Sequence, residues 1–274
     1  MYVNGPFVTI DGFTAPPPGI TLRKRGLVIR GIRGAHDVVV RGIRVRNSIL
    51  DGIQIAYQAY NIVIDHCSVS GSGDGNIDIT QSSHDITVSW SVFAQPARLQ
   101  KNSLIKYLPS GVTLHHNLYV AAAQRNPAIS IDDRGTPATG TTVDMRNNVV
   151  WGWGHGYGTW VRNRAQVNLV NNLYGNPGGD VSEPVIVDTL THALVYMSGN
   201  LSVDRPSFAL DSLGTVATPF PAPPVDTQDS CTAAFAVVAD AGVRPLDSVD
   251  AGYVGRVVLA SCPAPAPPVS GVAR

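Results

Sequence analysis

Three aspartates define the chemistry this chain can attempt. Asp51 and Asp74 each stand just before a short alternating segment, Gly52-Ile53-Gln54-Ile55 and Asn76-Ile77-Asp78-Ile79, and Asp78 lies inside the second. With the isoleucines pointing inward, Gln54 and Asp78 point outward, as does Ser130 in the similar run Ala128-Ile129-Ser130-Ile131. Strands stacked roughly 5 Å apart then bring Asp51, Asp74 and Asp78 to adjacent rungs. Carboxylates that close repel, and they raise one another's pKa unless a cation joins them. Hard oxygen ligands of this kind suit Ca²⁺, which tolerates irregular geometry and leaves positions open for water or substrate. The plainer reading makes one or more of them turn residues, because Asp74-Gly75 is a turn signal by itself.

The elements that must carry these residues repeat along the chain. Seven segments align without adjustment at Val38, Ile62, Ile86, Val112, Val143, Val167 and Val195. Two residues on, the file reads Val40, Ile64, Val88, Leu114, Met145, Leu169 and Met197. A polar file three residues further ends Asn117, Asn148, Asn172 and Asn200, and reads as an inward ladder that satisfies turn backbone. The rungs are 24, 24, 26, 31, 24 and 28 residues apart. A repeat near 24 residues with period-two alternation predicts a β-solenoid, an all-β fold with one strand-rich coil per repeat. The two longer steps imply inserted loops, which on solenoids often build the site.

The predicted organisation is one domain over 1–262, with regular coils from about 37 to 202, a covering segment over 203–262, and a Pro/Ala-rich tail at 263–274. Residues 1 to about 35 read as one or two irregular coils, and Ser230 to Ala241 as a helix covering an end or side of the cylinder. The chain has 274 residues, zero formal net charge and only 15% charged residues, with 27 Gly and 20 Pro, a composition that suits an all-β fold. No run of 18 apolar residues occurs, so no membrane partner is expected. No nucleic-acid partner is expected either, and a capped solenoid is expected to be monomeric. The start lacks a basic region followed by an apolar stretch, so no signal peptide is expected in this chain, which reads as beginning inside a domain. Cys67 reads as a small buried thiol, while Cys231 and Cys262 bracket the last apolar segment and leave a secretion-type disulfide open. Eight Lys or Arg against one Asp between Arg23 and Arg46 form either a polyanion-binding stripe or a solvated flank. The flank is favoured, because the alternate residues Val38 and Val40 point inward.

The ordered motifs resemble one family. Asp51-Gly-Ile-Gln-Ile, Asn61-Ile-Val-Ile-Asp65-His66-Cys67-Ser68, Asp74-Gly-Asn-Ile-Asp78-Ile and Asp85-Ile-Thr-Val-Ser89 resemble polysaccharide lyase family 1, the pectate lyases. Lys101-Asn-Ser-Leu-Ile, His115-His116-Asn117, Arg125-Asn126-Pro127, Asp144-Met-Arg-Asn-Asn148 and Asn172-Leu-Tyr continue the match over roughly residues 8 to 255. The resemblance implies a right-handed parallel β-helix and a secreted enzyme. It also implies Ca²⁺-dependent β-elimination of α-1,4-polygalacturonate to 4,5-unsaturated products. It makes Asp51, Asp74 and Asp78 calcium ligands, Lys101 a binder of a substrate carboxylate, and Arg125 the acceptor of a galacturonate C5 proton. A guanidinium holds its proton above about pH 12, so a base role for arginine goes with a rate that rises into the alkaline range.

Relatives carry a second arginine five positions after the first, where this chain has Ser130; Arg134 or Arg146 is the candidate to replace its substrate contact. Val63, Leu99 and Lys106 also depart from the pattern. His115 and His116 form no metal spacing with a third ligand, and Asp65-His66 reads as a structural pair. Three rivals accompany the lyase reading. A pectin lyase acting on methyl-esterified polymer would have no need of the three aspartates. A hydrolase would use Asp65 and Asp74 as paired acid and base. A non-catalytic pectin-binding β-helix would hold the polymer without turnover.

Overall fold

A computed structural model describes residues 1–97, 101–154, 156–179 and 182–263. Leu99 and residues 264–274, most of the expected tail, lie outside the described residues.

Short strands of alternating Val, Ile and Leu wind into a parallel β-helix with three sheets of eight strands each. Sheet A contains Leu27–Arg30, Ile53–Ala56, Ile77–Thr80, Ser103–Lys106, Ala128–Ser130, Thr159–Arg162 and Val185–Val187, preceded by Tyr2–Val3. Sheet B runs from Val8–Asp11 to Leu194–Ser198, and sheet C from Ile20–Arg23 to Leu201–Ser202. The inward file Val38, Ile62, Ile86, Val112, Val143, Val167 and Val195 is one register row of sheet B, every residue 0 or 1% exposed. Burying branched side chains on top of one another supplies the core, at about 25 cal/mol per Å² of apolar surface removed from water.

Between sheets B and C the chain turns sharply through one left-handed residue per coil: Gly42, His66, Trp90, His116, Asn147, Asn171 and Gly199. Just inside that corner the predicted asparagine ladder forms. Asn117, Asn148 and Asn172 each donate through Nδ2 to the Oδ1 of the next rung's asparagine, at 3.0 to 3.1 Å. A second ladder, Asn76–Asn102–Asn126, lies inside the corner that leads into sheet A.

The structure corrects three sequence expectations. Regular coils begin at Tyr2 and not near residue 37, because the short strands at 2–3, 8–11, 20–23 and 27–30 already pair in register with the next coil. Ser130 does not share the file of Gln54 and Asp78. Ile129 aligns with Ile105, Ile79 and Ile55, so Ala128 takes that place and Ser130 falls two residues further on. The surplus of the 31-residue step sits after this strand, in the loop 131–142. The basic stretch is not simply a solvated flank: Arg44 and Arg46 point away from the coil yet are 5% and 4% exposed. Helix α1 (Ser230–Asp240) covers a side of the cylinder. Its Ala234, Val237 and disulfide-bonded Cys231 pack on the outer residues Val92, Leu118, Val149 and Leu173 of sheet C. Cys231 is joined to Cys262, and helix α2 (Ser248–Val254) lies between them in sequence. Arg44 and Arg46 meet Asp247 and Asp250 under this cover.

Candidate functional site

The corner leading into sheet A gathers most of the expected site residues. Counting back from the paired residues Leu27, Ile53, Ile77, Leu104, Ala128 and Trp160 gives the file Arg25, Asp51, Gly75, Lys101, Arg125 and Tyr157. At Lys101 the pairing slips by one, to Gln124. Three residues into the strands, Gln54, Asp78, Leu104, Ala128 and Trp160 form the parallel outward file. The site is therefore a strip along the cylinder, acidic in its middle and flanked by cations and aromatic rings.

Asp51 and Asp78 converge on Gly75. A Cβ on that glycine would collide with Asp78 Oδ1 and stand 3.4 Å from Asp51 Oδ1, so only glycine leaves both carboxylates room. The Gly75 N–H donates to Asp51 Oδ1 at 3.1 Å, Gln54 Nε2 donates to Asp51 Oδ2 at 2.8 Å, and the Leu104 N–H donates to Asp78 Oδ1 at 3.1 Å. Burial pushes the Asp78 carboxyl well above the usual carboxylate range, with the Asp51 and Asp74 charges adding to it and the Leu104 N–H and Arg125 opposing. Burial also raises Asp51, with the Asp74 charge adding to it and the Gly75 N–H and Gln54 opposing. Asp74 is placed differently. It lies one residue out of register with Asp51, and it sits exposed on the solvent side of the turn. Among the described residues no three His, Cys, Asp or Glu side chains are drawn together into a metal-holding group. A buried and a half-buried carboxylate held apart only by a glycine, both raised by burial and by the Asp74 charge, are nevertheless a donor set that a hard cation fits.

Arg125 occupies the left-handed region (φ 62°), and its carbonyl accepts from the Ser103 N–H at 2.7 Å. Its guanidinium lies near enough to Asp78 to favour that carboxylate, and near enough to the Tyr157 hydroxyl to favour the phenolate. Lys101 is half-buried on the rung between the acidic pair and Arg125. The two substitute arginines diverge. Arg134 is exposed in the loop after the Ala128–Ser130 strand, its N–H donating to Asp132 Oδ1 at 2.8 Å. Arg146 ends a strand of sheet B, where Nε donates to Asp144 Oδ2 at 2.7 Å, so the structure does not bring it to the sheet A strip. Ser130 is 3% exposed, taken up by the Asp132 carbonyl and by Asn163.

Asp65 lies at the end of a sheet B strand, where Oδ2 meets His66 Nδ1 at 2.7 Å and Oδ1 accepts from Ser89 Oγ at 2.6 Å. It is thus on a different sheet from the corner that holds Asp74, and the paired-carboxylate hydrolase loses its acid–base pair. The sequence reading passed over Tyr157, Trp160 and Arg162. Their rung follows the long insertion, where the 24-residue period gives no guide. The only local signal was the alternation of Thr159-Trp160-Val161-Arg162, which presents Trp160 and Arg162 outward.

The comparisons point the same way as the geometry. No family model matches the chain. It is similar to a probable pectate lyase C of Emericella nidulans, 33% identical over 180 residues, covering 64% of this chain and 39% of that protein. A probable pectate lyase C of Aspergillus terreus is 32% identical over 174 residues, covering 62% and 38%. The chain thus spans about two fifths of the length of these curated relatives. Among solved structures, a Bacillus sp. N165 pectate lyase in complex with trigalacturonate superposes with a TM-score of 0.62 at 20% identity, covering 88% of this chain and 84% of that one. Pectate lyase C from Erwinia chrysanthemi, at pH 9.5 with 30 mM Ca²⁺, gives 0.57 at 19% identity, covering 84% and 74%. The class defined by these superpositions is the pectate-lyase-like parallel β-helix, and the chain has that fold.

Proposed function

We propose that the chain is a secreted, monomeric polysaccharide lyase that cleaves α-1,4-polygalacturonate by Ca²⁺-dependent β-elimination, leaving 4,5-unsaturated oligogalacturonides. The observation that carries this reading is the raised, glycine-separated pair Asp51 and Asp78 standing beside Arg125 on one strip of sheet A. The similarity to pectate lyases in sequence supports it, and the Cys231–Cys262 disulfide fits an oxidising compartment.

A uronate C5 hydrogen is weakly acidic, and its removal needs the neighbouring carboxylate neutralised. Asp51 and Asp78, with Asp74 swinging in from the turn, would hold a Ca²⁺ whose charge serves that end when bound. Lys101, one rung on, adds a cation for the substrate carboxylate. Arg125 takes the C5 proton; the C5–H electron pair becomes the C4–C5 double bond, and the C4–O4 bond breaks. Arg134 is the better placed of the two arginines for an outer substrate contact, since Arg146 faces another side.

The test is direct. Polygalacturonate with Ca²⁺ should give a rising ultraviolet absorbance from the unsaturated uronate, and a chelator should abolish it. Arg125→Ala should cost at least about 10²-fold in kcat while leaving the melting temperature nearly unchanged. A rate indifferent to chelation overturns the metal assignment. Reducing ends without the chromophore overturn the lyase reading altogether.

A further inference from the structure

Elimination leaves one proton unaccounted for: the departing glycosidic oxygen needs one as the C4–O4 bond breaks. The Arg125 file continues, one rung on, at Tyr157, and beyond it at Glu183. The Arg125 guanidinium lies close enough to the Tyr157 hydroxyl to pull the phenol's pKa down. The Tyr157 ring is held edge-on against Trp160 with centroids 5.3 Å apart and is 9% exposed, so the hydroxyl is fixed in place. The same ring lines a groove of about 420 Å³ on the outer side of sheet A, walled by Trp160, Ile186 and the 91% exposed Leu190. Tyr157 thus stands beside the candidate base on the neighbouring rung and borders a space open to polymer. The mechanism above gives it no task.

The geometry points to Tyr157 as a further catalytic residue, the proton donor to the departing glycosidic oxygen, acting as one unit with Arg125. This rests on the elimination reading. Arg125 removes the C5 hydrogen as a proton, and the electrons of that bond form the C4–C5 double bond. The C4–O4 bond breaks with its pair going to oxygen, and the Tyr157 O–H gives that oxygen a proton. The phenolate so formed recovers a proton from Arg125, its neighbour on the preceding rung. The net change is one proton moved from C5 to O4, with no oxidant or water consumed and both side chains returned to their starting states. Burial raises the phenol's pKa against the pull of Arg125 and Arg162, so the donor stays protonated in the alkaline range. The charged groups around it are Arg125, Arg162 on the same strand as Trp160, and Asp188 on the groove's rim.

Tyr157→Phe keeps the ring and its packing on Trp160 and removes only the hydroxyl. On polygalacturonate it should lower kcat by ~10²- to 10³-fold with KM within about threefold of wild type, and the alkaline limb of the wild-type pH–rate profile should change. A galacturonide carrying an aryl ether at O4, whose leaving phenoxide needs no donated proton, should shrink the Tyr157→Phe deficit to about fivefold or less. A purely structural role predicts the same deficit on both substrates. An equal deficit, or a Tyr157→Phe enzyme with wild-type kcat while wild type makes unsaturated product, overturns the Tyr157 assignment alone. No unsaturated product from wild type on either substrate overturns this assignment together with the elimination reading beneath it.

Discussion

Asp78 and His115 are both held away from their preferred charge states, and each yields a measurement. Asp78 carries its carboxylate in a buried position against that of Asp51, which raises its pKa, burial first. Asp78→Asn keeps an acceptor for the Leu104 N–H and removes the charge. Without Ca²⁺ the variant should therefore be more stable than wild type, by at least ~1 kcal/mol. It should also lack the Ca²⁺-dependent rise in melting temperature expected of the wild type, and calorimetry with and without Ca²⁺ reads both signs. His115 works in the opposite direction. Burial and then the neighbouring His116 lower its pKa from 6.5 to about 4, outweighing Asp65 and Asp144. The unfolded chain therefore takes up a proton below about pH 6.5 that the folded chain refuses until about pH 4. Stability should be undiminished above neutrality and should fall by roughly 1–3 kcal/mol as the pH drops through that window. Denaturant titrations of His115→Asn across the same pH range should show a shallower fall. Asp51 and Asp78 were legible as candidates from residue type and spacing, and Arg125 from the family resemblance. Tyr157 was not, since a tyrosine between two glycines carries no signature until the neighbouring rung shows what it touches.

At the scale of elements, period-two alternation and the 24-residue repeat located the sheet B strands, because each inward residue must meet its copy one coil away. The reading slipped where the repeat lengthened. Nothing in Ala128-Ile129-Ser130-Ile131 says which isoleucine continues the stack, and the loop 131–142 absorbed the difference. The asparagine file was more informative, since a small amide recurring at one inward position has to be hydrogen-bonded. Asn148, 1% exposed, receives the Asn117 N–H at 2.9 Å and donates to the carbonyls of Leu114 and Arg146 at 2.9 and 3.0 Å. Asn148→Ala would orphan buried backbone groups on two rungs. The expected cost is about 3–5 kcal/mol, at ~1–3 kcal/mol for each group left unsatisfied. Urea unfolding checks it, and a loss under about 1 kcal/mol would mean that water replaces the ladder.

For the whole molecule, one chain must cover its own solenoid, and this contact was the least legible. An outward arginine on a strand looks the same whether solvent or a segment two hundred residues later lies over it. Arg46 Nη2 meets Asp250 Oδ1 at 2.6 Å and Asp247 Oδ2 at 3.2 Å, while Arg44 also donates to the Val243 and Pro245 carbonyls. Asp250 is 1% exposed. Removing one member of such a buried pair leaves the other's charge uncompensated, so Asp250→Asn should destabilise by about 3–5 kcal/mol. Arg46→Met combined with Asp250→Asn should recover much of that, because an apolar side chain of similar length restores packing on sheet C without a stranded charge. The covering segment packs on sheet C, and the candidate site lies along sheet A. Below its lowered melting point, then, Asp250→Asn should keep wild-type kcat. A double-mutant cycle read by thermal unfolding, with lyase assays on the same four proteins, tests both halves. Additive losses would show that the arginines and aspartates do not act as a pair, and a kcat that falls with stability at 25 °C would show that the cover and the candidate strip are coupled.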